Sequence, residues 1–156
     1  DRYLAIGGND NIVRLWDLIN REIVEVFRGH TSWISSVSFS SDGHLLVSGS
    51  RDQTARLWEV ASGRCLQVFK GHKLWVTSAL IQQGQNRLIT SSTDGTIRIW
   101  ELSMGLCLKV LRPDRLYERM NITGVTGLTE AELTSLKALG AVQNLDDIED
   151  RKDRKW

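Results

Sequence analysis

A single proline stands in the 156 residues, and it is Pro113. Nothing in residues 1–112 therefore stops a strand from donating backbone N–H groups to a neighbour on either side. Cysteine is almost as scarce, with Cys65 and Cys107 alone. They occupy equivalent places in successive repeat units, further apart than the roughly 7 Å Cα separation a disulfide permits. They read as packed free thiols, which fits a reducing compartment and a cytoplasmic location. With three scattered histidines they offer too few ligands for a metal site. Charge of one sign is not in excess either: 20 basic against 19 acidic residues leave a net +1. That gives no electrostatic case for nucleic acid or a membrane surface. No apolar run approaches the roughly 18 residues of a spanning helix, and the start does not resemble a signal peptide. There is no Gly-x-Ser-x-Gly elbow, phosphate loop, His-Glu-x-x-His or EF-hand loop. These absences predict no catalysis, no cofactor and no metal. Asp1 in place of Met leads us to expect a piece of a longer chain.

What the sequence does hold is a period of 42 residues. Trp16, Trp58 and Trp100 keep it, as do Arg14, Arg56 and Arg98, Asp10, Asp52 and Asp94, Trp33 and Trp75, and Gly29-His30 and Gly71-His72. A fixed period built from short strands indicates a radial or stacked repeat. Alternating stretches at 2–7, 12–17 and 23–27 predict the strands of a first unit. The second unit has 34–39, 45–49, 54–59 and 65–69; the third has 75–81, 87–91, 96–101 and 106–111. Each complete unit reads as a four-stranded antiparallel meander, and the first lacks its inner strand. Bulk on both faces of 12–17 predicts a strand covered on both sides. Beyond residue 112 the period is lost. Residues 121–127 read as an irregular connector within 113–145. A helix is predicted over 129–139, with Thr129 as cap, Glu132 completing a capping box, Leu128 and Leu133 as a staple, and Gly140 at the exit. Leu133, Leu136 and Leu139 form a narrow stripe that wants a partner. The charged stretch 146–156 is expected to fray.

The recurrence of Gly-His, then an Asp in a tight turn, then Trp-Asp or Trp-Glu resembles the WD-repeat β-propeller family over residues 1–112. The expected architecture is all-β: a partial propeller of about three four-stranded blades, divided as 1–29 (incomplete), 30–71 and 72–112, with a short C-terminal helical tail. The segment 112–142 also resembles C-terminal segments of bacterial, chiefly cyanobacterial, WD-repeat proteins, implying the end of a longer parent. The resemblance implies structural tetrads of His30, Ser48, Asp52 and Trp58, and of His72, Thr90, Asp94 and Trp100. In the first unit Ile6 stands where the hydroxyl belongs, so its tetrad is incomplete. The resemblance further implies a partner-binding rim at Asn9, Trp33, Ser35, Arg51, Trp75, Thr77 and Thr93.

Ser, His and Asp in hydrogen-bonding order could be read as a hydrolase triad. A set that recurs in both complete units, at a fixed offset from a core tryptophan, reads instead as structure. Arg14, Arg56 and Arg98 are either a ligand-binding ring or side chains laid along the sheet beside each Trp. Trp33 and Trp75 are either interface anchors or local packing, with the anchor reading preferred. The expected function is a protein–protein interaction scaffold without chemistry of its own. The alternative is the regulatory module of a signalling nucleotide-switch ATPase or kinase with its catalytic part upstream. Expected partners are proteins, together with missing blades or a second copy.

Overall fold

The computed structural model describes residues 2–82, 84–113, 122–123, 125–139 and 141. The alternating stretches form three antiparallel sheets, each a meander in chain order. The first holds β1 (Tyr3–Gly7), β2 (Val13–Asp17) and β3 (Glu22–Phe27). The second holds β4 (Ile34–Phe39), β5 (Leu45–Ser50), β6 (Thr54–Glu59) and β7 (Cys65–Lys70). The third holds β8 (Val76–Gln82), β9 (Arg87–Ser92), β10 (Ile97–Glu101) and β11 (Cys107–Leu111). Register repeats with the sequence: Leu4 faces Trp16, Leu46 faces Trp58 and Leu88 faces Trp100. A bulge precedes each of those tryptophans, and another interrupts the inner strands at 34–36 and 76–78. An inserted residue sharpens the local twist, which helps a flat meander become a blade.

The core lies between sheets. Val13, Leu15 and Phe27 of the first sheet meet Leu46 and Trp58 of the second. Val47, Ala55, Leu57 and Phe69 of the second meet Ala79, Leu88, Trp100 and Leu102 of the third. One junction is the other displaced by one repeat. Phe27 approaches Trp58 edge-on with ring centroids 5.7 Å apart, and Phe69 repeats the contact on Trp100 at the same distance. Each inner strand is also tied to the preceding blade: Ile34 N donates to Gly8 O at 3.0 Å, and Ala79 N to Ser36 Oγ at 3.2 Å. The result is a partial β-propeller, an arc of blades without a closed ring.

Two expectations are corrected here. Strand β2 is covered on one side only: Val13 and Leu15 are buried, whereas Arg14 and Trp16 are half-buried and neighbouring Leu4 and Ile6 are exposed. Among the described residues no sheet packs on that face. The thiols also differ. Both are free, but Cys107 is exposed while its equivalent Cys65 is half-buried. The same asymmetry shows on the far face of that sheet. There Ile97 and Leu111 are 44% and 39% exposed, where their equivalents Ala55 and Phe69 are 1%.

The chain divides into two units, Asp1–Arg112 and Pro113–Trp156. In the second, α1 (Glu130–Ala138) begins at Thr129, whose hydroxyl accepts from Glu132 N while Glu132 Oε2 accepts from Thr129 N at 2.8 Å. That reciprocal capping box is the one expected. Of the apolar stripe, Leu133 and Leu136 are half-buried and Leu139, the C-cap residue, is exposed. Gly140, positions 121 and 124 of the connector and the charged stretch 146–156 lie outside the described residues.

Candidate functional site

Each complete blade carries a buried polar chain running from its core tryptophan to the turn of its second hairpin. Trp58 Nε1 donates to Ser48 Oγ at 2.8 Å, and Ser48 Oγ lies 2.8 Å from His30 Nε2. His30 Nδ1 lies 2.7 Å from Asp52 Oδ2. An indole N–H can only donate, so the serine hydroxyl accepts it and passes its own proton to Nε2. That assignment leaves the imidazole proton on Nδ1, pointing at the carboxylate. The third sheet repeats the chain through Trp100, Thr90, His72 and Asp94, at 2.8, 2.8 and 3.0 Å. Every link satisfies a group that would be costly to bury alone. Ser48 is 0% exposed, so its hydroxyl has no access to a substrate.

The carboxylate end gathers further donors. Asp52 Oδ1 accepts from Thr54 N and Thr54 Oγ1 at 2.9 and 2.6 Å, and Oδ2 from Thr31 N at 3.1 Å. Asp94 takes the same bonds from Thr96 N, Thr96 Oγ1 and Lys73 N. Arg56 and Arg98 lie along their tryptophans, Cζ 5.9 and 5.8 Å from the ring centroids, with Nε buried and unpaired among the described residues. The glycine of each Gly-His makes room for this layer. A Cβ on Gly29 would come 2.5 Å from Arg56 Nη1, and one on Gly71 would come 3.0 Å from Arg98 Nη1. Any side chain there would displace the arginine.

On the outer rim, Trp33 and Trp75 precede the inner strands and are each 46% exposed. Their carbonyls are anchored from the facing turn, by Arg51 N at 2.9 Å and Thr93 N at 3.0 Å. Arg51 Cζ stands 4.3 Å from the Trp33 ring centroid and 4.3 Å from that of Trp75. One guanidinium thus bridges the junction between two blades. Thr93 and Thr77 are exposed on the third blade, the latter's Oγ1 2.9 Å from Ser91 Oγ. Ser35 is the bulge residue of β4, and its hydroxyl is turned to the carbonyls of Gly49 and Val76. Asn9 lies exposed in the turn after β1. Of the seven rim positions, four are joined by direct contacts: Arg51 to Trp33 and Trp75, and Thr93 to Trp75.

The profile of "WD domain, G-beta repeat" matches residues 21–59 and 63–101, together half of the chain. The chain belongs to the WD-repeat family. Among curated proteins it is similar to "Nuclear distribution protein PAC1" of Mycosarcoma maydis, 35% identical over 47 residues, 30% of this chain and 10% of that protein. It is also similar to "Mitochondrial division protein 1" of Vanderwaltozyma polyspora, 44% identical over 41 residues, 26% of this chain and 6% of that protein. The chain matches a tenth or less of the length of these relatives.

The first WD unit departs from the other two. Asp10 carries no histidine and pairs instead with Arg14, Nη2 to Oδ2 at 2.6 Å. That takes Arg14 away from the stacking position its equivalents hold. Sequence reading missed the threonines that fasten the turn aspartates, although Thr54 and Thr96 keep the 42-residue spacing. It also missed that Arg51 is shared between Trp33 and Trp75, because that contact spans two blades and has no local pattern.

The WD relay makes stability depend on pH. Burial opposes ionisation of Asp52 and Asp94, but the hydrogen bonds from Thr54 and His30, and from Thr96, Lys73 and His72, outweigh it and hold both carboxyls well below the usual range. Burial also lowers the pKa of His72, against the pull of Asp94. In each case the unfolded chain binds a proton that the folded chain refuses, so stability falls as pH falls. Acid titration monitored by tryptophan fluorescence is expected to show a first loss beginning near pH 6.5, from His72, and a steeper one below about pH 4. Stability that is flat from pH 7 to pH 4 would contradict a neutral, buried His72.

Proposed function

We propose that this chain presents its blade rim to another protein and performs no chemistry of its own. The observation that carries the reading is the Trp33–Arg51–Trp75 cluster: two half-exposed indoles and a guanidinium, fixed by backbone hydrogen bonds from the facing turns. Tryptophan and arginine are the residue types that most often anchor interfaces, and preorganised anchors lose little side-chain entropy on binding. Asn9, Ser35, Thr77 and Thr93 would complete the contact surface around them. The Ser–His–Asp order supports the absence of catalysis, since it recurs in both complete blades and its hydroxyls are buried.

The same reading has the arc completed by further blades or by a second copy, whose sheets would cover Leu4 and Ile6 at one end and Ile97 and Leu111 at the other. It makes the protein a cytoplasmic scaffold, with Cys65 and Cys107 kept as thiols, derived from the C-terminal part of a bacterial, chiefly cyanobacterial type of WD-repeat parent. Trp33→Ala and Trp75→Ala are each expected to weaken binding of the native partner by about 2–4 kcal/mol. Calorimetry gives the affinity and a urea melt gives the fold. Unchanged affinity in both variants, or collapse of the fold in either, would remove the rim assignment.

A further inference from the structure

The rim has a charge character that its sequence hides. The loops at this end, 8–12, 28–33, 51–53, 71–75 and 93–96, hold three acidic residues, Asp10, Asp52 and Asp94. All three are already engaged. Asp10 is paired with Arg14, and Asp52 and Asp94 each terminate a relay and accept backbone N–H groups as well. The cations in the same loops are Arg28, Arg51 and Lys73, with Lys70 at the end of β7. A chain of net charge +1 therefore presents at this rim a surface whose uncommitted charge is positive.

Arg51 stands at the centre of that surface in an unusual state. Its guanidinium carbon lies over two indoles at once, 4.3 Å from the ring centroid of each. Among the described residues its side chain has no hydrogen-bond acceptor and no ion-pair partner. Two aromatic contacts hold the group in place, and its five N–H donors remain to be used. A fork of coplanar donors held in place matches a planar carboxylate through two parallel bonds. The indoles on either side would flank the methylenes of the incoming side chain and shield the ion pair from water.

The geometry points to a carboxylate-recognition site: Arg51, clamped between Trp33 and Trp75, takes a glutamate or aspartate side chain from an acidic segment of a protein partner. This rests on the rim reading above and specifies its ligand chemistry.

The test uses the full 156-residue chain and hexapeptide pools with a fixed central residue, either Glu, Gln, phosphoserine or Arg, and randomised flanks. Binding is read from the indole Nε1–H resonances of Trp33 and Trp75. The Glu pool is expected to bind about tenfold more tightly than the Gln pool, a difference of roughly 1.4 kcal/mol. Arg51→Lys should weaken that preference although it keeps the charge, because an ammonium has no planar fork. Arg51→Gln should abolish it, and both variants should still unfold cooperatively in urea. Equal binding of the Glu and Gln pools, tighter binding of the phosphoserine or Arg pool, or an unaltered preference in Arg51→Lys overturns the carboxylate assignment. If the pools show no acid preference while Trp33→Ala still weakens the native partner, the rim stands and the carboxylate site falls. If neither effect is seen, both fall.

Discussion

Trp58→Ala is expected to destabilise the folded chain by about 4 kcal/mol, the usual cost of truncating a buried large aromatic. Trp58 is buried at the first blade junction, edge-on to Phe27, and its N–H is the donor that starts the relay through Ser48. Removing it opens a cavity between two sheets and leaves the Ser48 oxygen without the indole proton. Trp16→Ala should cost far less, about 1 kcal/mol, since Trp16 is half-buried and Ile6 offers it no hydroxyl. Urea unfolding of both variants, followed by far-ultraviolet circular dichroism, measures the difference. Equal losses at Trp16 and Trp58 would show that junction burial and the relay are not what the third- and second-blade tryptophans contribute.

Asp94→Ala should cost about 3 kcal/mol, because the carboxylate accepts from four donors at once. His72 Nδ1–H, the backbone N–H groups of Lys73 and Thr96, and the Thr96 hydroxyl would all lose it. The turn between β9 and β10 would lose the group that closes it. Asp10→Ala, at the equivalent position of the first unit, removes one exposed ion pair with Arg14 and a long bond from Ile12 N. Its effect should be small beside that of Asp94, because solvent-exposed pairs contribute little. The two variants are compared by thermal midpoint in the same buffer. A loss at Asp10 as large as that at Asp94 would contradict the relay.

Most of the blade architecture was legible because it is periodic. The 42-residue spacing of Trp16, Trp58 and Trp100 fixes which residues are equivalent, and equivalence alone predicts that the Phe27–Trp58 contact recurs as Phe69–Trp100. The relay was legible for the same reason, since its four members recur together. What periodicity could not show is where it stops. Ile97 and Leu111 have the chemistry of core residues, and the sequence around them is that of Ala55 and Phe69, yet they are exposed. Burial there depends on a neighbouring sheet rather than on local pattern. The bulge at Ser35 was illegible too, because strict alternation places Ser35 beside Trp33, whereas the inserted residue turns its hydroxyl toward the carbonyls of Gly49 and Val76. The Arg51 clamp belongs to two blades at once, and nothing in either repeat alone announces it.

The family profile begins its second match at residue 63, just before β7, and ends it at residue 101, with β10. Each sequence repeat therefore opens with the outer strand of one blade and continues with the three inner strands of the next. The genetic unit and the folded unit are out of phase by one strand. A recombination that adds or removes one full period leaves every outer strand with a sheet to join, wherever along the repeat the cut falls. It also leaves every junction with its Phe and Trp, because both partners travel in the same register. Arrays of this kind can change in length without passing through a broken intermediate. The cost of an unmatched strand is confined to the first and last blades.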